Sequence, residues 1–252
     1  LIKFISAFMP LLLVAIFQTS AAARMEINFA TQDFFPFSYE ENREIKGPGA
    51  EIVREVCKKI NVKCNIGLYP WRRSLAMCNK GQVQALFMVG KNREREQDFH
   101  FSPPLIATEY GFFECMEKPI NYEGIASLHN MTIGTYGPSN TSYSLEKIVI
   151  KSNSNINIDI TPDDLTQFKK LARCRVDAVY SNKDVGLAIM KRLKIENIAY
   201  AGTQKELNYY IAFSKKYTPS VLVRKFNLCL SLMKQSGRLQ QILQKYNLKA
   251  AY

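Results

Sequence analysis

The sequence is poor in the residues that build metal and redox centres. Its 252 residues include two histidines, His100 and His129, which lie far apart, and no cysteine pair has the C-x-x-C spacing. A zinc site therefore lacks a ligand set, and no metal or cofactor is expected. No G-x-S-x-G elbow, Walker loop or dinucleotide fingerprint occurs, which argues against common hydrolase, nucleotidase and dehydrogenase chemistries. Lys and Arg number 34 against 22 Asp and Glu, a formal net charge of +12. These charges are scattered, with no arginine-rich tail or nucleic-acid motif, so they read as a solvated basic surface and no nucleic-acid partner is expected. Beyond the first 23 residues no apolar run approaches the roughly 20 residues needed to cross a bilayer.

What is present begins with "LIKFISAFMPLLLVAIFQTSAAA", residues 1–23. A lysine near the start, an apolar run from Phe4 to Phe17 and a small-residue end have the layout of a cleavable signal peptide. Ser6 and Pro10 interrupt the run and count against a membrane anchor. Cleavage is expected after Ala22 or Ala23, leaving a soluble chain outside the cytoplasm. In that oxidising compartment an even number of cysteines, here 6, points to disulfides rather than metal ligands. Hydrophobic residues make up 47% of the chain, with 15 Phe, enough for the core of one large domain or two small lobes.

Along the chain, "MEINFAT" reads as a strand, followed by a loop ending in Gly47-Pro48-Gly49. "AEIVREVCKKI" puts Ile52, Val53, Val56 and Ile60 at helical spacing, with acids before bases as the helix dipole favours. "VKCNIGLY" is a strand, Pro70 opens a helix on which Trp71, Leu75 and Cys78 share a face, and "VQALFMVG" is a strand. This β-α-β-α-β order demands a parallel sheet flanked by helices. The same order recurs from "MTIGTY" through "INIDI" and "VDAVYS", so two lobes are expected. "NIAYAG" and "LNYYIAFSK" read as two further strands, and two helices end the chain. A return of this tail to the first lobe would leave two crossing strands as a hinge.

With these elements in place, the opening strand with "FFPFSYEENREIKGPGAEIV", then "GLYPWRRSLAMCNKGQVQALFMVGKNREREQDFHFSPPL", "IGTYGPSNTS" and "LARCRVDAVYSN" together resemble the extracellular solute-binding proteins of family 3, the polar amino-acid type. The resemblance implies an α/β, two-lobed periplasmic-binding-protein fold (type II), each lobe a mixed sheet flanked by helices and joined by a two-strand hinge. Residues 24–112 would form the first part of lobe one, 113–208 lobe two, and 209–252 the return to lobe one. It also implies a disulfide between Cys57 and Cys64, as in the histidine and basic amino-acid receptors. One cysteine late in a helix and one early in the next strand can reach the Cα separation of about 4.4 to 6.8 Å that a disulfide needs. The pairing of Cys78, Cys115, Cys174 and Cys229 stays open; Cys174 stands where the family often has glycine.

The resemblance places Arg95 on the arginine that grips a ligand carboxylate, a task suited to its planar fork of donors. Arg93 beside it reads as a solvated residue. Met88 and Gly90 end a strand and would turn backbone groups to the cleft. Ser139 and Asn140 match a turn at a helix start, where free N–H groups attract an anion or where Ser or Asn simply caps the helix. Phe34 matches an aromatic over the ligand side chain, while Phe35, Phe37 and Tyr39 fill the core. Trp71 is either core or ligand contact. Arg73 stands against the helix dipole, which suggests a specific partner, Glu51 or a ligand carboxylate. Asn182, five residues after Asp177, occupies the position of the aspartate that neutralises a ligand ammonium. An amide cannot supply that charge, so either Asp184 or Glu51 replaces it or the ligand is not a standard α-amino acid.

The function implied is that of a monomeric receptor, not an enzyme, that captures a small polar, carboxylate-bearing ligand for a membrane ABC permease. Two other uses of the fold remain open. One is a dehydratase acting on cyclohexadienyl acids, which needs a buried acid in the cleft, with Glu51 the candidate. The other is a sensory module, with the same cleft but a signal as output.

Overall fold

The computed structural model describes residues 25–251; the expected signal peptide lies outside the described residues. The chain runs β1 (Glu26–Thr31), β2 (Tyr39–Glu41), β3 (Glu44–Lys46), α1 (Pro48–Lys59), β4 (Lys63–Leu68), α2 (Trp71–Asn79), β5 (Ala85–Gly90), α3 (Arg93–Asp98), β6 (Phe99–Phe101) and β7 (Ile106–Cys115). A short 3₁₀ turn, Ile125–Leu128, leads to β8 (Thr132–Tyr136), α4 (Asn140–Ser152), β9 (Asn157–Thr161), α5 (Asp164–Leu171), β10 (Ala178–Asn182) and α6 (Lys183–Leu193). The chain closes with β11 (Ile198–Ser214), α7 (Ser220–Gln235), α8 (Arg238–Gln244) and β12 (Lys249–Ala250). Among the described residues no helix is long and apolar enough to cross a membrane.

The main sheet has the order β4-β1-β5-β11-β7-β10-β8-β9. β1 is parallel to both β4 and β5, and β8 is parallel to both β9 and β10. Each end of the sheet thus repeats one β-α-β-α-β unit with its first strand in the middle. The two units are joined by β11 and β7, which are antiparallel to each other and to their neighbours β5 and β10. The expected lobe limits at 112/113 and 208/209 fall inside these two strands. "NIAYAG" and "LNYYIAFSK" form one 17-residue strand rather than two, because the polar stretch between them pairs with β7 throughout, with shifts of register near Tyr200 and Thr203.

Strand alternation divides the core. On β1, Phe29 joins Phe87, Phe213 and Phe226 under α1 and α7, while Ala30 faces Leu86, Val89 and Ala212 under α2. On β7, Phe112 packs with Tyr180 under α4, and Phe113 packs with Phe168 under α5. Side chains of consecutive strand residues point to opposite faces, so each strand serves two helical layers.

The helices start where the sequence supplies caps. Ser139 closes a capping box with Ser142, Asp163 accepts from the Thr166 N–H at 2.6 Å, and Asn182 accepts from the Val185 N–H at 3.1 Å. At α1 the preceding Gly47 has φ +101°, and a Cβ there would lie 2.5 Å from the Phe37 carbonyl oxygen, so only glycine fits. The first helix buries Ile52, Val53 and Val56 and turns Glu51 and Glu55 outward to α8. Glu55 receives the Arg238 guanidinium through Nε at 3.0 Å and Nη2 at 2.9 Å, and this contact holds its carboxyl below the usual range.

Two disulfides form among the described cysteines. Cys57 and Cys64 are bonded, with Cα atoms 6.1 Å apart. Cys115, the last residue of β7, is bonded to Cys174, which follows α5, with Cα atoms 5.9 Å apart. Cys174 has φ +47°, a conformation glycine adopts more freely. Glu117 lies near this pair, but sulfurs bonded to each other are not thiolate ligands. Cys78 and Cys229 are free, and burial pushes the Cys78 thiol up to about 12.

The two bridges close loops of different length, with sequence separations of 7 and 59. Restriction of the unfolded chain then predicts about 2 to 3 kcal/mol from Cys57–Cys64 and about 4 kcal/mol from Cys115–Cys174. Denaturant titration of Cys57→Ser/Cys64→Ser and Cys115→Ser/Cys174→Ser is expected to show the larger loss in the second variant. The reverse order would remove the loop-length account.

Candidate functional site

The site is organised around an irregularity at the end of β5. Opposite β11, Phe87 pairs with Ile211 and Val89 with Tyr210, so Met88 between them is left unpaired. Met88 has φ +59°, a left-handed conformation that a non-glycine side chain adopts at some cost. A bulge re-aims the residues around it, and here Met88, Val89 and Gly90 all line one cavity. Gly49 of α1 makes room for the turned side chain, since a Cβ there would lie 2.8 Å from Met88 Cε.

Just beyond β5, Asn92 caps α3 by accepting from the Arg95 N–H at 2.8 Å. This first turn swings the Arg95 side chain back over the strand end. Its Nη1 donates to the Gly90 carbonyl at 2.7 Å, and its guanidinium lies 4.9 Å from the centre of the Trp71 ring. Arg95 is half-buried, and loss of hydration lowers its proton affinity. Among the described residues it has no ion pair.

Facing Arg95 are two tyrosines from the linking strands. Tyr110 comes from β7 and Tyr209 from β11, where Tyr209 stands opposite Gly90. Phe34 and Phe37 hold the Tyr209 ring edge-on, with centroids 5.6 and 5.1 Å away. Tyr209 is fully enclosed, and burial raises its hydroxyl far above the usual range. From the second unit come Tyr136, Ser139, Asn140 and Thr141 at the start of α4. The Asn140 side-chain amide reaches the Tyr110 hydroxyl at 3.5 Å. The Ser139 hydroxyl accepts from the Thr141 and Ser142 N–H groups at 3.1 and 3.2 Å and donates to the Tyr136 carbonyl at 2.6 Å. Of the two uses open to Ser139, capping is therefore the one observed.

The cavity measures about 40 Å³, room for a few water molecules. A ligand larger than that requires the two halves to part. Among the described residues that line it, Arg95 carries the one positive charge and none carries a negative one. Gln32 adds a neutral amide and Phe34, Trp71 and three tyrosines add aromatic surface.

Of the ten ligand residues expected, Phe34, Trp71, Met88, Gly90, Arg95, Ser139 and Asn140 meet at this cavity, and Glu51, Arg73 and Asn182 do not. Glu51 is corrected outright. Its position on α1 is opposite the buried stripe, so its carboxylate faces outward, where it pairs with Lys245 and accepts from the Tyr246 hydroxyl at 3.3 Å. No ammonium or catalytic role in the cleft fits that place. Arg73 is exposed and lies over the Tyr69 ring at 5.1 Å, so neither Glu51 nor the cavity is its partner. Asn182 is buried one layer behind the tyrosines, where its amide nitrogen donates to the Thr108 hydroxyl at 2.8 Å and to the Tyr209 hydroxyl at 3.1 Å. Asp184 accepts from Thr108 at 2.6 Å and opens onto a separate groove beside Lys183 and Lys249. The lining residues that sequence reasoning missed are Gln32, Val89, Tyr110, Tyr136, Thr141 and Tyr209. Four of these adjoin or nearly adjoin expected residues, but Tyr110 and Tyr209 sit on the linking strands and have no local signal.

The family of bacterial extracellular solute-binding proteins, family 3, matches residues 27–249. The chain belongs to this family. Among curated relatives, a "Probable amino-acid-binding protein YxeM" from Bacillus subtilis (strain 168) is 24% identical over 221 residues, covering 86% of this chain and 81% of that protein. Among solved structures, a histidine kinase sensor domain with similarity to periplasmic binding proteins superposes with TM-score 0.80 at 17% identity, covering 90% of this chain and 99% of that one. The L-arginine-bound substrate-binding protein AbpA of an amino-acid ABC transporter from Streptococcus pneumoniae superposes with TM-score 0.74 at 19% identity, covering 88% and 94%. These likenesses establish the type II periplasmic-binding-protein fold for this solute-binding protein.

One carboxyl, whose charge acts on Tyr136 of the cavity wall, sets a pH dependence. Asp164, in the first turn of α5, accepts from the Ser181 hydroxyl at 2.6 Å, and burial raises it from 3.8 to about 6. Between these values the native state binds more protons than the unfolded chain, so stability falls as pH rises through that window and stays lowered above it. Asp164→Asn is expected to melt above wild type near about pH 7.5, with the gap closing below about pH 4. A gap of constant size across that range would assign the effect to packing instead.

Proposed function

We propose that this solute-binding protein captures a small carboxylate-bearing molecule between two lobes and delivers it, as a monomer, to a membrane ABC permease. The lobes are residues 24–112 with 209–252, and residues 113–208. The observation that carries this reading is the Arg95 guanidinium, which is stacked on Trp71 and bonded to one backbone carbonyl but has no carboxylate partner among the described residues. A partly desolvated guanidinium keeps several donors in a fixed fork, and a ligand carboxylate matches that fork with two parallel bonds. Phe34 and Trp71 would flank the ligand, Met88 and Gly90 would supply backbone groups, and Asn140 would reach it from the other lobe. The location that suits this role is the periplasm, after removal of residues 1–23. The likeness to the AbpA structure supports a transport role, and that to the kinase sensor domain supports a sensory use of the same cleft. Uptake of the identified ligand by cells with and without the gene separates the two.

The test begins with a thermal-shift screen of amino acids, dicarboxylates and aromatic acids, since a ligand that binds the folded state raises its melting temperature. Calorimetry then compares variants. Arg95→Ala is expected to weaken binding by about 2 to 5 kcal/mol, some 30-fold to several thousand-fold. Arg93→Ala, on the exposed side of α3, is the matched control and should have little effect. Equal affinities in wild type and both variants would remove the carboxylate clamp.

A further inference from the structure

Behind the cavity runs a chain of hydrogen bonds, from Val185 through Asn182 and Thr108 to Asp184, whose direction is determined. Asn182 caps α6, and its side-chain oxygen must face the Val185 N–H, because the amide NH2 cannot accept that hydrogen. This settles the orientation of the amide: Nδ2 faces the two hydroxyls, giving one hydrogen to Thr108 and the other to Tyr209. Thr108, accepting from Asn182, donates its own hydrogen to the Asp184 carboxylate at 2.6 Å. Asp184 therefore anchors the chain as its terminal acceptor, and its charge is spent on Thr108 and on the neighbouring Lys183 and Lys249 rather than on the cavity.

At the other end the consequence reaches the cavity. The Tyr209 oxygen accepts from Asn182, and beside it the Tyr110 oxygen accepts from Asn140. Each phenol keeps its own hydrogen as a donor. No hydrogen bond among the described residues uses either hydrogen, while one acceptor position on each oxygen is taken. The Gly90 carbonyl is likewise engaged, by Arg95. The cavity thus offers spare donors, a guanidinium and the Tyr110 and Tyr209 phenols, and no anionic acceptor among the described residues that line it.

A carboxylate meets such a wall well. An α-ammonium group does not: it brings three donors and a positive charge to a surface already rich in donors, close to Arg95, and loses its hydration without charge compensation. We infer that the cleft prefers carboxylates that lack an α-ammonium group, such as hydroxy, keto or unsubstituted acids, and that Asn182, acting through Tyr209, is the positioning residue that sets this preference. The inference rests on the carboxylate reading of Arg95 and extends it to the rest of the ligand.

Matched pairs of probes that differ only at the α-carbon test it: L-phenylalanine with 3-phenylpropanoate, L-glutamate with glutarate, and L-arginine with 5-guanidinopentanoate. In calorimetry, wild type is expected to bind the deaminated member of at least one pair roughly tenfold or more tighter than its amino acid. Asn182→Asp keeps the cap on Val185 and turns an acceptor toward Tyr209, so the phenol donates backward and presents its lone pairs to the cavity. That variant is expected to shift the ratio toward the amino acid by roughly tenfold or more. Tyr209→Phe keeps the ring and removes the donor, and should weaken the deaminated acid several-fold; with the wild-type ratio it decides the matter if Asn182→Asp does not fold. Amino acids that bind wild type as tightly as their deaminated partners, with both lost in Arg95→Ala, would overturn this inference and leave the carboxylate clamp standing. A wild-type protein that binds neither member of any pair would overturn both.

Discussion

The antiparallel ladder between β7 and β11 is the constraint on which the rest of the molecule depends. It is the join between two parallel β-α-β-α-β units, and its register decides which side chains of the two strands face the same cavity. Ile106 stands opposite Tyr209, Thr108 opposite Leu207 and Tyr110 opposite Lys205. One shift of a residue in this ladder would turn Tyr110 and Tyr209 to the opposite face and replace the cavity wall with whatever lies behind it. The bulge at Met88 adds a second local constraint, because it changes the alternation of β5 where Arg95 bends back to bond Gly90. Recognition and architecture therefore share the same few residues.

Much of this was legible in the sequence. Hydrophobic spacing in "AEIVREVCKKI", Pro70 before Trp71, and the alternation of strand and helix segments were enough to place α1, α2 and the order of the two units. The disulfide between Cys57 and Cys64 and the gathering of Phe34, Trp71, Met88, Gly90, Arg95, Ser139 and Asn140 followed from resemblance to the family, not from periodicity. The glycine expected at Cys174 has a physical counterpart in its left-handed backbone, and its partner Cys115 could not have been named from spacing.

What was not legible has identifiable causes. The β2–β3 hairpin is short, polar and largely exposed, so it has no apolar alternation to reveal it. Glu51 was assigned to the cleft because it is an acid near the right loop, yet Ile52, Val53 and Val56 already define the buried face of α1 and place position 51 off it, next to Glu55. Arg73 stands against the helix dipole, but the face of Tyr69, four residues earlier, satisfies it without any ligand. Tyr110 and Tyr209 are about a hundred residues apart, and nothing local marks either as a binding residue. Their meeting is a property of strand pairing, as is the role of Thr108 between Asn182 and Asp184.

The bidentate contact between Glu55 and Arg238 bears on how such a chain reaches its native state. It ties the first helix to the last, and the strand beside β5 in the sheet is β11, so the first unit is completed by residues that are synthesised at the very end. A contact that spans 183 positions delays closure of the core, since the entropy of joining distant segments must be met before they stabilise one another. The second unit, from β8 to β10, is contiguous and has no such wait. Folding should therefore begin in the middle of the chain, with the amino-terminal half held open until its carboxyl-terminal partner arrives.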